Sequence, residues 1–75
     1  MANAHFETAA LGIGVQVELD SVRFYEEMAR QAPTESEKKI FSDLADWESG
    51  HYHALLAQQE SLKEAYWQAG GFAPF

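Results

Sequence analysis

Pro33 is the residue that most limits what this chain of 75 residues can become. It has no amide hydrogen to give to a helix and it pushes Ala32 away from the helical conformation, so it divides the chain into two stretches, each long enough for one helix. Before it, Leu11, Val15, Glu18, Val22, Tyr25 and Ala29 recur at alternating four- and three-residue steps, the seam of a helix packed lengthwise on another. After it, Phe41, Leu44, Glu48, His51, Leu55, Gln58 and Leu62 follow the same rhythm. Thr34 to Glu37 reads as a capping box, in which the Thr34 hydroxyl accepts from the Glu37 amide and the Glu37 side chain reaches back. The pattern predicts an all-α fold, an antiparallel two-helix hairpin forming a single domain over 1–75, with helices over about residues 7–31 and 35–68. Gly12 and Gly14 weaken the first turns by about 1 kcal/mol each relative to alanine. Met1 to Phe6 shows no periodicity and reads as a frayed lead-in, with His5 a surface residue. Gly70 and Gly71 end the second helix, and an apolar, non-helical tail closes the chain at 70–75.

The two seams are apolar except at one level. Glu18 stands fifteen residues before Pro33 and Glu48 fifteen after it, so equal helical rise on both arms of an antiparallel hairpin brings the two carboxylates to the same height. The same arithmetic pairs Val22 with Leu44, Tyr25 with Phe41 and Leu11 with Leu55, which closes the carboxylate layer with apolar layers above and below. His51 lies one turn beyond Glu48 on the same face. Two carboxylates brought out of water need hydrogen bonds or a cation. Glu18, Glu48 and His51 are therefore candidate metal ligands, the alternative being a carboxylate and histidine cluster satisfied by hydrogen bonds across a dimer.

One hairpin offers Glu, Glu and His, too few ligands for two metal ions. Two copies related by a two-fold axis offer four Glu and two His, and four carboxylates balance two divalent ions. A second apolar stripe, Ile13, Val17 and Phe24, also asks for a further helix beyond the hairpin. The chain is short for a monomer with no disulfide or other staple, and it has no cysteine. That absence excludes disulfides, zinc ribbons, iron–sulfur clusters and thiol catalysis, and it fits a reducing cytoplasm. A homodimer assembling into a higher oligomer is the expected state. The net charge of −7 argues against nucleic acid or an anionic membrane as partner. The apolar run from Ala9 to Val15 is too short for a membrane span and lacks the basic flank of a signal peptide.

The stretches ELDSVRFY, from Glu18 to Tyr25, and FSDLADWESGH, from Phe41 to His51, resemble one half of a rubrerythrin-type domain of the ferritin-like superfamily. They also resemble the short encapsulated ferritins, which complete a four-helix bundle only by dimerising. The similarity runs from Gly14 to Leu56. It implies a hairpin that dimerises into a ferritin-like four-helix bundle around a di-iron centre, the arrangement in which each of two helices gives a Glu and each of the other two a Glu-x-x-His pair. By the resemblance Glu18 and Glu48 are iron ligands, Glu48 bridging, His51 is a terminal ligand, and Tyr25 is a partner of the site in the surrounding shell. Mn, Zn or Ca could replace iron in a crystal. Encapsulated ferritins place acids beside the first ligand as a metal uptake point; Asp20 fits that role, whereas Val17 stands where a second acid is expected.

The remaining polar and aromatic residues read more simply. His53 falls on a different face from His51 and Asp46 and Glu35 are solvated. Trp47 and Trp67 read as packing or interface residues, and Gly50, on the outer side of the second helix, permits a close neighbour. The function these residues and the resemblance point to is a ferroxidase, an oxidoreductase that converts Fe(II) to Fe(III) with oxygen or peroxide for iron storage or detoxification. By resemblance it is cytoplasmic and could work inside an encapsulin shell, a protein nanocompartment. The alternatives are a rubrerythrin-like peroxide reductase, which without a cysteine-ligated centre needs a separate electron donor, and a non-catalytic helical dimer held by metal.

Overall fold

The computed structural model describes residues 4–70, which form two helices, α1 (Ala4–Gln31) and α2 (Glu35–Gln68). They pack side by side as a hairpin 54 Å long and 17 × 16 Å across. The tail at 71–75, including Gly71, lies outside the described residues. No helix is long and apolar enough to cross a membrane among the described residues.

The turn forms where the proline demands it. Ala32 is buried at 8% exposure and its amide still donates to the Met28 carbonyl at 2.9 Å, so the last turn of α1 closes before Pro33 stops it. Thr34 then takes an extended conformation, φ −122° and ψ 156°, and its hydroxyl accepts from the Glu37 amide at 3.2 Å. That is the first half of the expected capping box, and it gives an otherwise unpartnered amide of α2 an acceptor. At the far end Gly70 adopts a left-handed φ of 77°, and its amide closes on the Trp67 carbonyl at 3.0 Å. Only a residue without a Cβ enters that region freely, which is why α2 ends at Gln68.

The start of α1 differs from the sequence pattern. The helix begins at Ala4 rather than Glu7, so His5 and Phe6 are helical, and no frayed lead-in occupies residues 4–6. Nothing between Ala4 and Glu7 breaks a helix, and α2, with 34 residues against 28, is long enough to stand beside the added turn. Gly12 and Gly14 do not interrupt α1 either. At Gly14 the reason is packing: a Cβ there would lie 3.4 Å from Leu55 Cδ1, so the glycine is where the Leu55 side chain meets α1.

The hairpin leaves much of its apolar surface uncovered. Among the described residues Ala32 and Ala45 are the buried hydrophobic ones, and no large side chain is fully enclosed. Ile13 (66% exposed), Val17, Phe24, Ile40 and Trp47 all stand open. At about 100° of turn per residue, Ile13, Val17 and Phe24 lie on one flank of α1 relative to Glu18. Ile40 and Trp47 lie on the flank of α2 reached by the same sense of rotation from Glu48. Because the helices run antiparallel, these flanks fall on one side of the hairpin. The charged pairs Arg30 with Glu27 and Lys38 with Glu35 at 3.8 Å lie elsewhere, while Lys39 with Asp43 at 3.0 Å borders that flank. Exposed pairs of this kind contribute little stability.

Candidate metal site

Glu18 projects from α1 and Glu48 and His51 from α2, and one ligand atom from each gathers within 4.8 Å of the others. The register counted from Pro33 is the cause. On the turn side of this level Tyr25 stacks on Phe41 with ring centroids 6.5 Å apart, and on the other side Leu55 packs against Gly14, so apolar contacts bracket the polar cluster. Helical spacing then sets His51 over the same groove as Glu48. Its Nδ1 lies 3.9 Å from Glu18 Oε2 and 3.8 Å from Glu48 Oε2.

Those separations are too long for hydrogen bonds. Glu18 Oε2 is buried, and no hydrogen-bond partner reaches it. An ionised carboxylate oxygen in that position is costly to leave alone. The Glu18 carboxyl accordingly titrates above its ordinary value. The first cause is a proton it can share with Glu48, followed by loss of water and the like charge of Glu48, with His51 pulling the other way. The donor set of two carboxylates and one imidazole suits a hard or borderline divalent cation, and a cation among the three groups would give Glu18 Oε2 the partner it lacks. The residues fit a metal.

The exposure of the three side chains is graded. Glu48 is 15% exposed, Glu18 23% and His51 45%, so the carboxylates are the more enclosed members and the cluster opens at His51, whose ring meets Trp47 on the uncovered apolar flank. Tyr25 sits beside the site level with its ring against Phe24 and Phe41, and among the described residues no hydrogen bond links its hydroxyl to the cluster. Asp20 is exposed and accepts from Gln16 Nε2 at 2.8 Å; two residues past Glu18, it points to the opposite side of α1. His53 is exposed with its ring against Tyr52, Asp46 and Glu35 are exposed, and Gly50 has open space around it. A cleft of about 370 Å³ near the turn, lined by Glu26, Arg30, Lys38, Ser42 and Asp46, contains none of the three site residues. Its cations are already paired with Glu27 and Glu35.

One contact of the site escapes a reading by residue type. The rings of Trp47 and His51 meet edge to face with centroids 4.4 Å apart. Their four-residue spacing was the available signal.

An all-α hairpin that brings two carboxylates and an imidazole together from two helices is a candidate metal-binding module. The family model for rubrerythrin matches residues 7–68, and the chain belongs to that family, within the ferritin-like superfamily. Its members typically bind iron, and membership points to a di-iron ferritin-like protein with iron-related oxidoreductase chemistry. Neither the comparison with curated proteins nor that with solved structures gives a match.

Proposed function

We propose that this chain is one half of a di-iron ferroxidase: two copies associate and oxidise Fe(II) to Fe(III), with dioxygen or peroxide as electron acceptor, for iron storage or detoxification. The observation that carries the reading is the buried, unpartnered Oε2 of Glu18 beside Glu48 and His51. In this reading Glu18, Glu48 and His51 hold the metal, and iron bound there supplies the one-electron chemistry, its ferric state favoured by hard carboxylate oxygens.

What the chain's own residues contribute follows from their positions. Glu18 and Glu48 bring negative charge to a place where little water competes with them, which attracts and retains a cation. His51 offers Nδ1 on the more open side of the cluster. The Tyr25 and Phe41 stack and the Leu55 contact at Gly14 exclude water from either end of the layer. Protons compete with metal for the site, since the Glu18 carboxyl binds them more readily than an ordinary carboxylate does, so metal affinity falls as pH is lowered.

Dimerisation is supported by two features. Among the described residues one chain carries a single Glu, Glu and His set, half of what two ions require. The flank onto which that set opens bears Ile13, Val17, Phe24, Ile40 and Trp47, all more than half exposed, a larger apolar surface than a monomer ordinarily leaves in water. Packing a second hairpin there completes a four-helix bundle with the ligands inside it.

The reading is tested by adding Fe(II) anaerobically, admitting oxygen or peroxide, and following ferric absorbance in the parent and in Glu48→Ala and His51→Ala. Oxidation by the parent well above the rate in buffer, lost in both variants, is expected. Oxidation at the parent's rate in either variant contradicts the assignment. A parent that accumulates no ferric iron but consumes peroxide catalytically once a separate electron donor is added is instead a peroxide reductase.

A further inference from the structure

His51 is the least enclosed member of the cluster, with 45% of its side chain exposed. A side chain on an open helix surface chooses among staggered rotamers, and a ligand that spends only part of its time in the competent one binds more weakly in proportion. Hydrogen bonds do not hold it, because Nδ1 stands 3.9 and 3.8 Å from the carboxylate oxygens. The contact that His51 does make is with Trp47, at 4.4 Å between centroids and 63° between planes. Side chains on a helix lean toward its N-terminus, so the imidazole comes down over the turn that Trp47 occupies. An edge-to-face meeting is a favoured geometry for such rings. The indole is itself 61% exposed, and among the described residues its ring contact is with His51.

We propose that Trp47 is a positioning residue for His51: its indole blocks the rotamers in which Nδ1 turns to solvent and leaves the one in which Nδ1 faces Glu18 and Glu48. The proposal rests on the metal-site reading of those three residues. Trp47 touches none of the atoms that would bind metal and acts through the orientation of the imidazole. Reducing three wells to one raises the competent fraction about threefold for each His51, and about ninefold where two copies serve one centre.

The test uses the full chain with cobalt(II) as probe, because its visible absorption bands report the number and arrangement of ligands. Trp47→Ala, Trp47→Phe and Ile40→Ala are compared with the parent for cobalt affinity, band shape and sedimentation. The ring-proton shifts of His51 are followed by NMR in the metal-free protein. Ile40 belongs to the same exposed flank but lies eleven residues from His51, so it controls for loss of apolar surface. In Trp47→Ala, cobalt affinity is expected to fall on the order of three- to tenfold, with altered bands and with His51 ring protons moved out of the indole's ring current. Trp47→Phe restores most of the affinity, and Ile40→Ala leaves the bands unchanged. Parent affinity and bands in Trp47→Ala overturn the proposal, as does a Trp47→Phe protein that behaves like Trp47→Ala. An Ile40→Ala protein that reproduces the altered bands also overturns it, since Trp47 then acts only through association. A parent that binds no cobalt overturns the metal-site reading as well, whereas a binding parent with an unaffected Trp47→Ala removes this inference alone.

Discussion

Glu18 and Glu48 reach the same point from opposite helices, each fifteen residues from Pro33, and meet there with His51 within a sphere that one cation can fill. In the metal-free chain this convergence is unfavourable. The Glu18 carboxyl is pushed above its ordinary value first by the hydrogen bond its protonated form can make to Glu48, and then by desolvation and the like charge of Glu48. The site is thus held together against its own electrostatics by the packing above and below it.

That opposition has a pH signature. The carboxyl of Glu18 has a higher pKa folded than unfolded, so the folded state binds more protons than the unfolded one between those values. The contribution to stability is full below the unfolded value and is lost as pH rises through the folded one. Glu27 has the opposite sign: held below its ordinary range by hydrogen bonds from Arg30 and then Gln31, it contributes above the unfolded value and loses that contribution as pH falls. Thermal melts of the metal-free protein across the acid range should show Glu18→Gln flattening the loss on the alkaline side of the window. A slope unchanged in that variant would mean that Glu18 is not the group responsible.

The hairpin's register and fold were legible because they depend on local rules. A proline, a capping threonine and helical rise suffice to set Glu18 opposite Glu48 and Tyr25 against Phe41. The start of α1 was less legible, since Ala4 to Phe6 carries no periodic pattern and the turn forms beside the longer α2. The Trp47 and His51 contact was hidden for a different reason: at four-residue spacing two rings can either meet or part, and only their rotamers decide. Asp20, read as a place for metal to enter, points to the far side of α1, because a helix turns through nearly half a circle in two residues. What covers Ile13, Val17 and Phe24 is not a local matter at all; a pattern marks a face as apolar without naming the surface that meets it.

Association through that face makes a direct prediction. Phe24→Glu places a charge on it, toward the turn, and removes from the α1–α2 seam only the ring contact that Phe24 makes with Tyr25. The association constant should fall by about 100-fold or more, in line with the loss of an aromatic anchor at an interface, and sedimentation would show the smaller species. Unchanged mass at low micromolar concentration would mean that the second copy, if any, packs elsewhere.

Thr34 offers a control on the fold apart from the site. Thr34→Ala removes the acceptor of the Glu37 amide and should cost about 1 kcal/mol, a fall in melting temperature of about 5 °C for a chain of this size. Cobalt or iron affinity measured well below the melt should change little. A large loss of affinity in the folded variant would show that the turn governs the site more tightly than the register alone requires.

The most direct measurement is the iron content of a species of known mass. Anaerobic Fe(II) titration combined with sedimentation should show two irons bound per two chains, with association tightened by the metal. Glu48→Ala, still helical by circular dichroism, should bind neither iron tightly. A single chain that holds iron at full affinity, or a dimer whose mass and melting temperature are indifferent to iron, would contradict a metal centre shared between two copies.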